Sequence, residues 1–150
     1  MPGYLLDASA FAKTVLLETG SQYVEELVTG AIAGPTRIAV LHIGFVEAVN
    51  AIWKRCDRGE MGPDRALEAQ ARLIGLSEGL NVVQASDRIR RALQIAIAMR
   101  ITVYDALPLA WAEHQRMTLV TGDRRRAGVA AQLRPPVQVD LLAPDTDERA

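Results

Sequence analysis

The alternation of short apolar runs with segments of helical composition predicts an α/β sandwich with a mainly parallel central sheet. An acid stands at or just after the end of two of these runs, where parallel sheets place their ligand sites. In addition, 49% of the 150 residues are hydrophobic, which is enough for a sizeable core. We therefore predict one domain over residues 1–143, followed by a frayed tail at residues 144–150.

The first part of the chain contains one predicted strand and three predicted helices. Residues 4–6 form an apolar run that ends at an acid, and residues 8–17 have helical composition. Ser21 is suited to cap a second helix, which the pair Gly34-Pro35 must interrupt. Between residues 41 and 58, apolar side chains recur at helical spacing, which predicts a long amphipathic helix.

The rest of the chain repeats the alternation of helices and strands. Pro108 lies early in the helix that follows Val103. Since its missing N–H is harmless only within the first turn, we expect that helix to begin near Tyr104 rather than at Thr102. Two of the other predicted helices cover residues 64–78 and 124–132, and a third, which Ser86 or Asp87 can cap, contains Ile89, Leu93 and Ile97. The other predicted strands cover residues 80–83, 117–120 and 137–139.

The composition excludes several classes of protein. The single Cys56 rules out an internal disulfide framework and a cysteine-rich zinc site. No apolar run approaches the roughly 18 residues of a membrane span, and no basic leader precedes the first predicted strand. We therefore expect a soluble cytoplasmic protein without membrane contact.

The charge balance limits how the protein could bind nucleic acid. The net charge is -1, so any such contact must be local. Arg124, Arg125 and Arg126 are candidates, because arginine can bind phosphate through two nitrogens at once. A solvated helix face is the alternative interpretation of such a run.

Four acids occupy positions where a charge needs an explanation. Asp7 and Asp123 follow predicted strands, Asp105 shares a helix face with apolar residues, and Glu47 lies beside an apolar stripe. Structural explanations remain open: Asp7 and Asp123 can cap the helices that follow, and Glu47 can be an ordinary exposed residue. Asp105 can belong to a capping box with Thr102.

If these acids converge, their carboxylates repel one another unless a cation neutralises them. Oxygen ligands without cysteine suit Mg²⁺ or Mn²⁺, and neither His42 nor His114 has the helical partner of a zinc motif. No glycine-rich phosphate loop or nucleophile elbow is present. Metal-dependent hydrolysis of nucleic acid is the enzymatic interpretation that remains.

Three segments in this order resemble the PIN-domain ribonucleases, and among them the VapC-like toxins of prokaryotic toxin-antitoxin pairs. They are LLDASAFAKTVLLETGS from Leu5, VEAVNAIWKRCDRGEM from Val46 and YDALPLAWAEHQRMTLVTGD from Tyr104. The resemblance spans nearly the whole chain and implies a PIN-like three-layer α/β/α sandwich. Pro108 departs from the family pattern, which often has an aromatic residue there, and the run after Asp123 is unusually basic.

The resemblance also implies a function. Asp7, Glu47, Asp105 and Asp123 would bind the metal of a Mg²⁺- or Mn²⁺-dependent endoribonuclease, which hydrolyses RNA phosphodiesters with metal-activated water. Supporting positions would be Ser9, Lys13, Asn50 and Thr121, and Arg124, Arg125 and Arg126 are candidates for RNA contact. The family implies a homodimer and a VapB-like antitoxin partner, through which alone the protein would reach operator DNA.

Other functions stay open at this point. A housekeeping PIN nuclease of RNA maturation and a non-catalytic PIN-like RNA-binding module would share the fold. A receiver-like phosphoryl-transfer domain also gathers acids at strand ends, but it needs a late lysine, and no lysine follows Lys54.

Overall fold

A computed structural model describes residues 3–143, within which five parallel strands form a single sheet. The strands are β1 (Gly3–Leu6), β2 (Arg37–Leu41), β3 (Asn81–Val83), β4 (Thr118–Thr121) and β5 (Val139–Leu141). Their order across the sheet is β3-β2-β1-β4-β5. The predicted α/β class is confirmed.

Helices cover both faces of the sheet. They are α1 (Ala8–Ala12), α2 (Ser21–Ala33), α3 (His42–Asp57), α4 (Pro63–Ser77), α5 (Ile89–Met99), α6 (Val103–Gln115) and α7 (Arg124–Gln132). Helices α1 to α4 pack on one face around Phe11 and Leu73, whereas α5 to α7 pack on the other around Ile95 and Leu109. The three layers follow because β1, β2 and β4 are buried on both sides and so need apolar partners on each.

The topology determines where a site can form. The chain runs outward from β1 through β2 to β3, and then crosses to β4 and β5 on the other side of β1. Leu6 of β1 lies in register with Val120 of β4. The carboxyl ends of these two strands therefore flank the point where the strand order reverses, which is where open α/β sheets bind ligands.

The structure adds one strand that the sequence pattern did not predict. Strand β2 begins soon after Gly34-Pro35 and continues without a turn into α3 at His42. Its last four residues are all buried, so it lacks the polar alternation that marks a half-exposed strand. With no turn between them, the apolar runs of the strand and the helix merge in the sequence.

Two predictions about helix ends were wrong, and one was confirmed. Helix α1 ends at Ala12 rather than at residue 17. Just after Ala12, the Thr14 hydroxyl donates a hydrogen bond to the carbonyl of Phe11 at 2.7 Å. Ser21 does not cap α2, because Gly20 is the cap and the Ser21 hydroxyl donates to Leu16. Helix α6 begins at Val103, next to the predicted Tyr104, and Thr102 is its N-cap, whose hydroxyl accepts a hydrogen bond from the Asp105 amide at 3.1 Å.

Pro108 is accommodated inside α6 despite its missing amide. The bond it cannot make is to the carbonyl of Tyr104, a residue that is 67% exposed and so lies beside solvent. The last strand also lies two residues later than predicted.

No single helix within residues 3–143 is long and apolar enough to cross a membrane. One pair in that range, Ser86–Met99 with Val103–Gln115, passes by length and composition but is bent by 118°. The predicted frayed tail at residues 144–150 lies outside the described residues.

Candidate active site

Asp7 occupies the carboxyl end of β1 and is almost completely buried, at 3% exposure. One carboxylate oxygen, Oδ1, accepts hydrogen bonds from the Ser9 hydroxyl at 2.6 Å and from the Ala10 amide at 3.0 Å. Asp7 is therefore the N-cap of α1, as one of the two interpretations of the sequence allowed. These bonds fix the carboxylate and leave its other oxygen directed elsewhere.

The other oxygen of Asp7 meets the side chain of Arg126. Arg126 Nη1 lies 2.5 Å from Asp7 Oδ2, and Arg126 Nη2 lies 2.8 Å from Asp105 Oδ1. A third donor, Nε, reaches the backbone carbonyl of Asp105 at 3.2 Å. The guanidinium thus joins β1 to α6 by bridging two carboxylates that are 98 positions apart in the sequence.

Arg126 remains charged in this position. Burial by itself lowers the pKa of its guanidinium, but the carboxylates of Asp7, Asp105 and Asp123 together raise that pKa above the ordinary value. The side chain is 9% exposed, so its charge depends on these partners for stabilisation.

Glu47 of α3 lies at the same centre. It lines a small cleft together with Asp7 and Arg126, and it remains open to solvent. Partial burial raises the pKa of Glu47, the positive charge of Arg126 lowers it, and the negative charges of Asp105 and Asp7 raise it further. Three of the predicted acids therefore interact electrostatically around one guanidinium.

Asp123 is oriented mainly by its role at the start of α7. Its Oδ1 accepts from the amides of Arg125 at 2.9 Å and Arg126 at 3.2 Å, so it is the N-cap. Its own amide donates to the Thr121 hydroxyl at 3.0 Å. Asp123 is nevertheless close enough to raise the pKa of Arg126, which places it at the edge of the same centre.

The predicted supporting residues differ in how directly they touch the acids. Ser9 contacts Asp7, as described, and Thr121 contacts Asp123. Lys13 is buried and pairs instead with Glu18 at 3.0 Å. Asn50 is exposed one turn after Glu47, and no hydrogen bond of its side chain is found within residues 3–143.

The arginine run divides into two exposed residues and one buried residue. Arg124 and Arg125 are exposed, and Arg125 Nη2 donates to the carbonyl of Arg100 at 3.0 Å. Arg126 points inward, which the charge run concealed. The informative signal was its helical spacing, because Val129 and Ala130 lie three and four residues later on the buried face of α7.

The donor set of this centre fits a divalent cation in its chemistry. Carboxylate oxygens are the ligands of Mg²⁺ and Mn²⁺, and Asp7 and Asp105 already hold a cationic group between them. No cluster of three or more His, Cys, Asp or Glu side chains arranged around one metal position occurs in the described part of the chain. The acids that would hold a cation are Asp7, Asp105 and Glu47, with Asp123 beside them.

Comparison with known proteins gives consistent matches. A family model described as PIN domain matches residues 4–132. Ribonuclease VapC3 of Pyrobaculum aerophilum is 30% identical over 123 residues, which cover 82% of this chain and 91% of the relative.

Solved structures have the same fold. The crystal structure of PAE2754 from Pyrobaculum aerophilum has a TM-score of 0.70 and 24% identity, covering 93% of this chain and 84% of that one. VapBC2 from Rickettsia felis, solved with a DNA fragment from its promoter, has a TM-score of 0.67 and 16% identity, covering 94% and 99%. The family model, the relative and the shared fold together show that this chain belongs to the PIN-domain family and is VapC-like.

Proposed function

We propose that the protein is a Mg²⁺- or Mn²⁺-dependent endoribonuclease and acts as the toxin of a toxin-antitoxin pair. The observation that carries this proposal is the convergence of Asp7, Asp105 and Glu47 at the strand-order reversal. The 30% identity of this chain to a protein named Ribonuclease VapC3 supports RNA as the substrate. The substrate reaches the centre through the solvent-open side next to Glu47.

In this proposal the residues of the chain hold the reacting groups in place. A bound divalent cation would supply Lewis-acid polarisation of the phosphodiester and activation of water. Asp7 is held by Ser9 and the Ala10 amide, so its carboxylate cannot turn away from the centre. Glu47, on the accessible side, is placed to accept a proton or a cation at the point where the substrate enters.

We propose partners and location on the same basis. The toxin forms a homodimer and is held inactive by a VapB-like antitoxin, which alone connects it to operator DNA. It works in the cytoplasm and does not contact a membrane. An apolar surface on α5 supports a protein–protein interface. It consists of the exposed residues Ile89, Leu93 and Ile97, which are spaced by one turn along the helix.

Glu47→Gln tests the proposal with little risk to the fold. Glu47 is exposed, and its replacement keeps the shape of the side chain while removing the charge. We expect Mg²⁺-dependent RNA cleavage to fall by at least about 100-fold, the scale of a lost general base or metal ligand. Glu68→Gln on α4 is the matched control, since Glu68 is also exposed and lies away from the cleft.

If Glu47→Gln and Glu68→Gln cleave RNA equally fast, and a chelator stops cleavage by both, then Glu47 is not part of the active site. Binding of RNA without cleavage by the unaltered protein would favour the non-catalytic module. A short neighbouring reading frame that encodes a DNA-binding antitoxin would separate the toxin from the housekeeping nuclease.

A further inference from the structure

Arg126 places a positive charge between two carboxylates that the proposed function assigns to a metal. Both of its terminal nitrogens are used: Nη1 lies 2.5 Å from Asp7 and Nη2 lies 2.8 Å from Asp105. The guanidinium is therefore a substitute cation supplied by the chain itself.

The main chain of Arg126 is fixed at the start of α7. Its amide is bound by the Asp123 side chain at 3.2 Å, and its Nε is bound by the carbonyl of Asp105 at 3.2 Å. Val129 and Ala130, on the same side of α7, are buried in the core. The guanidinium can leave the acids by side-chain rotation while the capped start of α7 stays in place.

A divalent cation and this guanidinium cannot both make their best contacts with the same acids. Asp7 Oδ1 already accepts from Ser9 and Ala10, so Oδ2 is the oxygen left for a cation, and Arg126 binds that oxygen. A cation bound to Asp7 Oδ2 would also lie close to the guanidinium. The two positive charges would repel each other, because screening by water and salt is weak in a buried site.

We infer that Arg126 competes with the divalent cation for Asp7 and Asp105, so that cation binding requires its guanidinium to leave. The inference rests on the proposed metal-dependent function. The consequence is a reduced apparent affinity, because only the fraction of molecules with Arg126 displaced can accept the cation. In the metal-free protein, the positive charge of Arg126 offsets the repulsion between the carboxylates of Asp7 and Asp105.

Calorimetric titration with Mn²⁺ tests this competition. We expect Arg126→Gln to bind Mn²⁺ at least about tenfold more tightly than the unaltered protein, which corresponds to about 1.4 kcal/mol. Arg124→Gln is the matched control, because it removes the same charge from an exposed neighbouring position. Its Mn²⁺ affinity should change by about twofold or less, since salt screens an exposed charge.

A second measurement uses the unaltered protein and so does not depend on the stability of the variant. The Nε–H proton of Arg126 is hydrogen-bonded to the carbonyl of Asp105, and its NMR signal can be assigned with Arg126→Lys. We expect addition of Mg²⁺ to shift this signal and to accelerate its exchange with water. The amide of Ala10, bonded to Asp7, reports cation binding independently.

The outcomes separate the inference from the proposed function. Equal Mn²⁺ affinities of Arg126→Gln and the unaltered protein would overturn the competition, as would an unchanged Nε–H signal while Ala10 responds. Tighter binding by Arg126→Gln without RNA cleavage by either protein would support the competition and refute the nuclease. Absence of Mn²⁺ binding by both proteins would overturn both.

Discussion

Ser9 accepts a hydrogen bond of 2.9 Å from the backbone amide of Gly122, a residue 113 positions later in the chain. The same hydroxyl donates to Asp7 at 2.6 Å. A Cβ added at Gly122 would lie 3.5 Å from the Ser9 oxygen, which is an ordinary van der Waals contact, so the two segments lie side by side. A single hydroxyl therefore connects the end of β4 to the acid that ends β1.

Ser9→Ala should cost both stability and activity. Removal of the two bonds should lower the free energy of unfolding by about 1 kcal/mol, and cleavage should fall because one fewer hydrogen bond then orients Asp7. Urea unfolding measures the first effect. Ser77→Ala is the control, since the Ser77 hydroxyl makes one bond on the exposed side of α4. Similar results for the two variants would show that the Ser9 bridge contributes little.

Asp123 can be tested for two roles at once. Asp123→Ala removes the cap of α7 and should lower the free energy of unfolding by about 1 kcal/mol. Asp123→Asn retains a capping oxygen, so we expect its stability to stay within about 0.5 kcal/mol of the original. If Asp123 is also a metal ligand, the asparagine variant alone separates the roles by losing cleavage while staying folded. Full activity of that variant would reduce Asp123 to a cap.

The exposed arginines should contribute to RNA affinity by binding phosphate groups. Replacing Arg124 and Arg125 with alanine should reduce the slope of log affinity against log salt by about 1 for each arginine that binds a phosphate. Arg126 is left unaltered because it is buried. Arg90, exposed on α5, provides the control substitution. A slope that stays constant would indicate that Arg124 and Arg125 form only a solvated face.

Ile97→Glu should disrupt the proposed homodimer. Ile97 is 72% exposed, and a charge there would have to be buried on association. Light scattering coupled to size-exclusion chromatography should show a change from dimer to monomer. Leu67→Glu, at a 67% exposed position on α4, should leave the mass unchanged. A dimer that survives Ile97→Glu must use another surface.

Tyr23 should titrate above the ordinary tyrosine pKa of about 10. Burial raises the pKa of its phenol, and the hydrogen bond to Asp140 and the charge of that carboxylate raise it further. The stabilising contribution of this bond is therefore complete below pH 10 and is lost as the pH rises through the higher pKa. Tyr23→Phe should remove the high-pH step from the tyrosinate absorbance titration, and a titration that keeps this step in the variant would contradict the assignment.

The sequence pattern identified the fold because apolar runs and helical periodicity are local features. It also placed Asp7 at a strand end, since an acid that ends an apolar run needs no tertiary information to recognise. Arg126 was beyond this reasoning because its partners lie 21 and 119 positions away, and a run of three arginines resembles a solvated face. Strand β2 was not predicted, because its burial on both faces removes the alternation of apolar and polar residues that marks a half-exposed strand.

The order of the strands has a consequence for the synthesis of the protein. The central strand β1 is made first, yet one of its two neighbours, β4, begins only at Thr118. Asp7 and its partner Arg126 are separated by 119 positions. While the chain is on the ribosome, α1 to α4 can gather on one side of β1, but the acids of β1 and α6 have no common cation. The ribosome must therefore synthesise the chain at least as far as Arg126 before this centre can assemble.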